Sequence, residues 1–118
     1  MFLERLGTVS SRIQGALALS LVDGDGIPVE SVSLAPDLDL ESAAAELVAQ
    51  VRAISSQQQE LSVGEVQQVT VAGQGMSYIV SAVARGYYLL LLLRPEASLG
   101  RARYELKRAM LLFEEDLA

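Results

Sequence analysis

Leu3, Leu6, Val9 and Ile13 recur at three- and four-residue intervals, with Glu4, Arg5 and Arg12 elsewhere. That spacing predicts a short helix over residues 2–13, ended by Gly15. Residues 16–22 are apolar, as in a half-buried strand, and run into Asp23-Gly24-Asp25-Gly26. Asp-Gly is a hairpin signal, because both central residues of the tight turn need positive φ. In the strand expected at 27–34, Ile27, Val29, Ser31 and Ser33 share one face, and Glu30, Val32 and Leu34 the other. Pro28 has no amide proton and suits an edge.

Asp37 or Asp39 is placed to cap a helix over residues 40–58, by accepting its free amide protons. Leu40, Ala44, Leu47, Val48, Val51 and Ile54 make one apolar stripe along it. Residues 65–72, 76–84 and 87–93 read as three strands, joined by Gly73-Gln74-Gly75 and by Arg85-Gly86. The last is apolar on both faces, which places it centrally or under cover. Ser98 is positioned to cap a final helix, with Leu99, Ala102, Leu106, Ala109, Phe113 and Leu117 as its core stripe. Hairpin links between the strands predict an antiparallel sheet covered by helices.

The chain has 118 residues, a length expected for one domain, 1–118, with a single core. It has no Cys and no His, which removes disulfides, thiol catalysis, His acid–base chemistry and Cys/His zinc sites. The serines, Ser42, Ser55 and Ser56 among them, have no His to activate them. A calcium loop starting at Asp23 needs an oxygen ligand at its fifth position and Glu at its twelfth, but those are Ile27 and Leu34. No phosphate-loop motif is present, and Lys107, the one lysine, lies in a helix pattern. Glu114-Glu115 reads as a solvated helix face. No catalytic residue, metal site or cofactor is expected, and the chain reads as a non-enzyme.

Net charge is −6, which repels phosphate and argues against nucleic acid as a partner. The longest apolar run, 87–93, is too short to cross a bilayer as a helix. The first residues lack a signal-peptide pattern. The expected setting is cytoplasmic, away from membrane.

Three surface features remain. On the middle helix, about 180° from its apolar stripe, lie Ser42, Ala45, Ala49, Ala53 and Ser56, flanked by Glu41, Glu46, Gln50, Arg52 and Gln57. Alanine is the best helix former, yet a small, nearly uncharged face also lets another helix or protein approach closely. In residues 65–72, Glu65 is the only charge and there is no Pro. At a sheet edge such a strand needs covering or pairing, for instance with its own copy; in the sheet interior it needs neither. Finally, Arg101, Arg103, Lys107 and Arg108 lie close together. They suit an acidic partner, or a solvated face in a C-terminal half where cations complement the helix dipole.

The whole pattern resembles the Roadblock/dynein light-chain domain, including the bacterial MglB-type regulators. Residues 13–31 are similar to that family's Gly-Ala (Gly15-Ala16), apolar strand, Asp-Gly turn (Asp23-Gly24) and second strand. Residues 75–93 are similar to its late hairpin. Residues 99–109 open on Leu99-Gly100 and Arg103, similar to its Leu-Gly-x-x-Arg helix start. There are two departures: the sequence stops soon after the last helix, where some MglB-type proteins continue, and the middle helix is unusually rich in Ala.

The resemblance implies an α+β, αββαβββα fold, with a five-stranded antiparallel sheet sandwiched by helices, related to profilin. It implies a homodimer whose third strands pair through Val66, Gln67, Gln68, Val69, Thr70 and Val71. It implies a small Ras-like GTPase docked near the paired middle helices, here at Ser42, Ala45, Ala49, Arg52, Ala53 and Ser56. The chain then regulates the partner's nucleotide cycle or localisation without performing hydrolysis. Arg52 is not assigned as an arginine finger. A structural scaffold and a small-ligand sensor are the alternatives.

Overall fold

The structure is a computed structural model that describes residues 2–58 and 60–117. In chain order the elements are α1 (Phe2–Ser11), β1 (Ala16–Val22), β2 (Pro28–Ser33), α2 (Leu40–Gln57), β3 (Gln68–Ala72), β4 (Ser77–Ala82), β5 (Tyr88–Leu93) and α3 (Leu99–Leu117), with one 3₁₀ turn at Ala84–Gly86. The order is the αββαβββα expected from the sequence. The five strands form one antiparallel sheet in the order β2-β1-β5-β4-β3.

β5 is the middle strand, and its run of leucines explains the layering. Leu89, Leu91 and Leu93 point to one side, where they meet Leu6 and Val9 of α1 and Ala102, Leu106, Ala109 and Phe113 of α3. Leu90 and Leu92 point to the other side, where they meet Ala44, Leu47, Val48 and Val51 of α2. Burying each such leucine contributes roughly 1.5–3 kcal/mol. Phe113 is fully buried and stacks on Phe2 with ring centroids 6.0 Å apart. Arg5 fastens the same two helices by reaching Asp116 through Nε at 2.7 Å and Nη2 at 3.3 Å.

Local chemistry sets the boundaries. Asp39 caps α2: its Oδ1 accepts from the Ser42 N–H at 3.2 Å, and its Oδ2 from the Ser42 hydroxyl at 2.8 Å. These bonds, the hydroxyl's first, hold the Asp39 carboxyl below its ordinary value of 3.8. The Ser98 hydroxyl likewise accepts from the Arg101 N–H at the start of α3.

Several expectations are corrected. α1 ends at Ser11, so Ile13 is buried but lies beyond the helix, and Leu3, which shares the helical spacing of Leu6 and Val9, is 53% exposed. The 23–26 turn is not a tight two-residue hairpin with two positive-φ centres. Asp23 Oδ1 accepts from the Asp25 and Ile27 N–H groups, and only Gly26 has positive φ, at 85°. A Cβ on Gly26 would also sit 3.0 Å from the Ala45 Cα, so glycine lets this turn lie against α2. β3 starts at Gln68 instead of residue 65, and β4 is confined to Ser77–Ala82.

Phe113→Ala should cost about 3–5 kcal/mol, measured as a shift of the urea unfolding curve. Because the native carboxyl of Asp39 is depressed, its contribution is present above the unfolded pKa and is lost as pH falls through the native one. Asp39→Ala should therefore be less stable than the parent at neutral pH, and the gap should narrow in acid; urea titrations at the two pH values check this.

Candidate interaction site

α2 buries Ala44, Leu47, Val48 and Val51 and turns the opposite face outward. All six residues singled out on it, Ser42, Ala45, Ala49, Arg52, Ala53 and Ser56, are exposed. One flank of the face adjoins β4, where the Tyr78 hydroxyl donates to Gln50 Oε1 at 2.7 Å. Partial burial, and secondarily the charge of Glu46, raise the Tyr78 phenol above its usual value. The other flank adjoins the β1–β2 turn, through Ala45 beside Gly26 and Arg52 beside Gly24. The face is therefore framed on two sides by the sheet and stays smooth along its crest.

β3 is an edge strand, with β4 as its one neighbour in the sheet. The six residues expected to form this edge do not share one role. Val66 and Gln67 precede the strand: Val66 packs into the α2 core, and the Gln67 carbonyl accepts from Ala82 N–H at 2.8 Å. Bonded and non-bonded pairs alternate along an antiparallel ladder. From Gln67 and Ala82, with the pairs Val69–Val80 and Val71–Tyr78, it follows that Val69 and Val71 bond to β4. The backbone groups of Gln68, Thr70 and Ala72 face the open edge. The Gln68 side chain is turned back to the Ser81 hydroxyl at 2.9 Å. No Pro and no bulge interrupts this rim.

A cleft of about 640 Å³ lies where α2 ends, bounded by Arg52 and Ser56, by Glu65 and Val66, and by Arg85 and Tyr87. Arg85 adopts a left-handed backbone, φ 62°, a conformation that ordinarily favours glycine. The sequence reading missed this cleft. Arg85-Gly86 was legible only as a turn, and nothing in the residue pattern brings it beside Arg52, 33 positions earlier. Leu61 and Val63 on the α2–β3 connection are also exposed, and no periodicity marked them. Among the described residues, no group of three or more Asp or Glu is arranged to hold a metal ion, and no helix is long and apolar enough to cross a membrane.

Helices on both faces of an antiparallel sheet, with a smooth outer helix face beside an open strand edge, make an α+β domain. The chain belongs to the Roadblock/LC7 family, whose model matches residues 7–93. The fold is shared with a Roadblock/LC7 domain from Streptomyces avermitilis (TM-score 0.85, 22% identity, 97% of this chain and 95% of that one). MglB of Myxococcus xanthus superposes at TM-score 0.87 with 19% identity, over 97% of this chain and 92% of its own. MglC of Myxococcus xanthus is 29% identical over 98% of both chains, at TM-score 0.70. No curated protein matches the sequence.

Replacing Glu46 with Gln removes one of the two influences on Tyr78. Its phenol should then ionise at lower pH than in the parent, read from the absorbance of tyrosinate in an alkaline titration.

Proposed function

We propose that residues 1–118 form one Roadblock-like domain that acts as a homodimeric regulator or adaptor in the cytoplasm. It binds a small Ras-like GTPase and modulates that partner's nucleotide cycle or its localisation. The chain supplies surface and performs no hydrolysis of its own. The observation that supports this most is the pairing of features on one molecule: an exposed, nearly uncharged α2 face, and an uncharged β3 edge with open backbone groups. Val69 and Val66 of the β3 region pack into the α2 core, so both features lie on one side of the fold.

In this reading two β3 strands meet through Gln68, Thr70 and Ala72 and join two sheets into one. The α2 helices then lie side by side. Ser42, Ala45, Ala49, Arg52, Ala53 and Ser56 form the docking face, whose small side chains let the switch loops of the GTPase come close. The partner holds the nucleotide, and the contact biases the arrangement of those loops.

A small-ligand sensor has one observation on its side, the cleft that Arg52, Arg85 and Tyr87 help to line. A scaffold without effect on nucleotide turnover uses the same docking surface as a regulator.

Ala49→Glu places a charge on the crest of α2 and should weaken binding to a small Ras-like GTPase at least tenfold, measured by titration calorimetry, while leaving the dimer intact. Unchanged affinity would remove α2 as the docking face. GTP hydrolysis and nucleotide release by the partner, with and without this chain, separate a regulator from a scaffold. Thr70→Pro removes one N–H from the open rim and none from the β4 ladder. It should leave a folded chain unable to pair through β3, seen in sedimentation velocity as a species of half the parent's mass.

A further inference from the structure

The four basic residues of α3 do not lie where the helix dipole would favour them. Arg101 and Arg103 fall in the opening turns, Lys107 just before the midpoint and Arg108 on it, while Glu114, Glu115 and Asp116 end the helix. Residues 99–108 carry a net +3 and residues 109–117 a net −3. Both halves run against the macrodipole, which favours anions at the start and cations at the end. The distribution therefore works against the stability of α3 itself.

The outward stripe of α3 reads Arg101, Tyr104, Arg108, Leu111 and Glu115, at alternating spacings of three and four. All five are exposed, with Tyr104 at 58% and Leu111 at 68%. This is the spacing by which one helix seats against another. Two of the five are large and apolar in part or whole, where a solvated helix face carries polar side chains.

We propose that α3 is a second homotypic interface, on the opposite layer of the fold from α2, in which α3 packs antiparallel against α3 of another copy. Antiparallel pairing about a two-fold axis at Arg108 sets the basic half of each helix on the acidic half of the other. Arg101 meets Glu115, and Tyr104 meets Leu111 and Leu112, each contact occurring twice by symmetry. Arg108 comes near its own copy at the axis. Its charge is already engaged by Glu105, whose two oxygens lie 3.4 Å from Nη1, and by the Tyr104 ring at 5.9 Å. A second copy fits this face better than an acidic peptide, which complements residues 101–108 but is repelled by Glu114 and Glu115. The paired helices are roughly 28 Å long, a small interface, so association is concentration-dependent and weakens with salt.

Sedimentation velocity of the full chain over a concentration series, at low and high salt, tests this. The parent should form a species larger than Leu111→Glu does, and salt should reduce it. Arg101→Glu and Glu115→Arg should each weaken the larger species about tenfold, and the double exchange R101E/E115R should restore it, since it rebuilds the same pairs with reversed sign. On the Thr70→Pro background the α3 contact should still yield a dimer, so failure of β3 pairing and failure of α3 pairing are separable. A parent no larger than Leu111→Glu at any concentration would overturn the proposal, as would a double exchange no better than the single variants. Binding of a polyglutamate peptide by a parent that does not self-associate through α3 would overturn it too, and would assign the face to an acidic partner.

Discussion

The burial of β5 from both sides is the constraint on which the rest of the molecule depends. Five consecutive leucines, Leu89 to Leu93, are all buried, and β1 and β4 flank the strand on either edge. A strand that dry on both faces requires a helical layer above and another below. α1 and α3 supply one layer, and α2 alone supplies the other. Since α2 has one sheet face to cover and nothing above it, its remaining surface is exposed. Since β5 holds the centre, β3 is carried to the rim by the α2 crossover.

Much of this was legible in residue types. The two-sided leucine run identified the central strand, and the 3.6-residue stripe from Ala44 to Val51 identified the buried face of α2 and, by subtraction, the outer one. Asp39 and Ser98 announced their helices through capping chemistry. The misreadings share a cause. Leu3 fits the spacing of its helix, but spacing does not say whether a sheet extends far enough to cover it. Asp23 can satisfy backbone amides with its own carboxylate, which relieves the turn of a second positive φ. Val66 and Gln67 have strand-forming character, but tertiary packing draws Val66 under α2 before the ladder begins.

Non-local juxtaposition was the part that residue patterns left blank. The cleft between Arg52 and Arg85 arises because the β1–β2 and β4–β5 turns arrive at the same end of the sheet. A Cβ on Gly24 would lie 3.2 Å from the Gly86 carbonyl and 3.7 Å from the Arg52 guanidinium. The charge on α3 was visible as a cluster, but its meaning changed once the helix boundaries were known. Placed in the first half of the helix, the cations oppose the dipole they had been expected to complement.

The two rims of the sheet are unequal. β2 begins at Pro28, and its ladder with β1 slips in register between Leu21 and Val22. Proline and register irregularity both discourage a further strand from adding. β3 has neither. A sheet built this way is sticky on one border and blunt on the other. Two copies joined along β3 as proposed would therefore cap each other, leaving two blunt borders outermost, and growth in the plane of the strands would stop at a pair instead of running on into a filament.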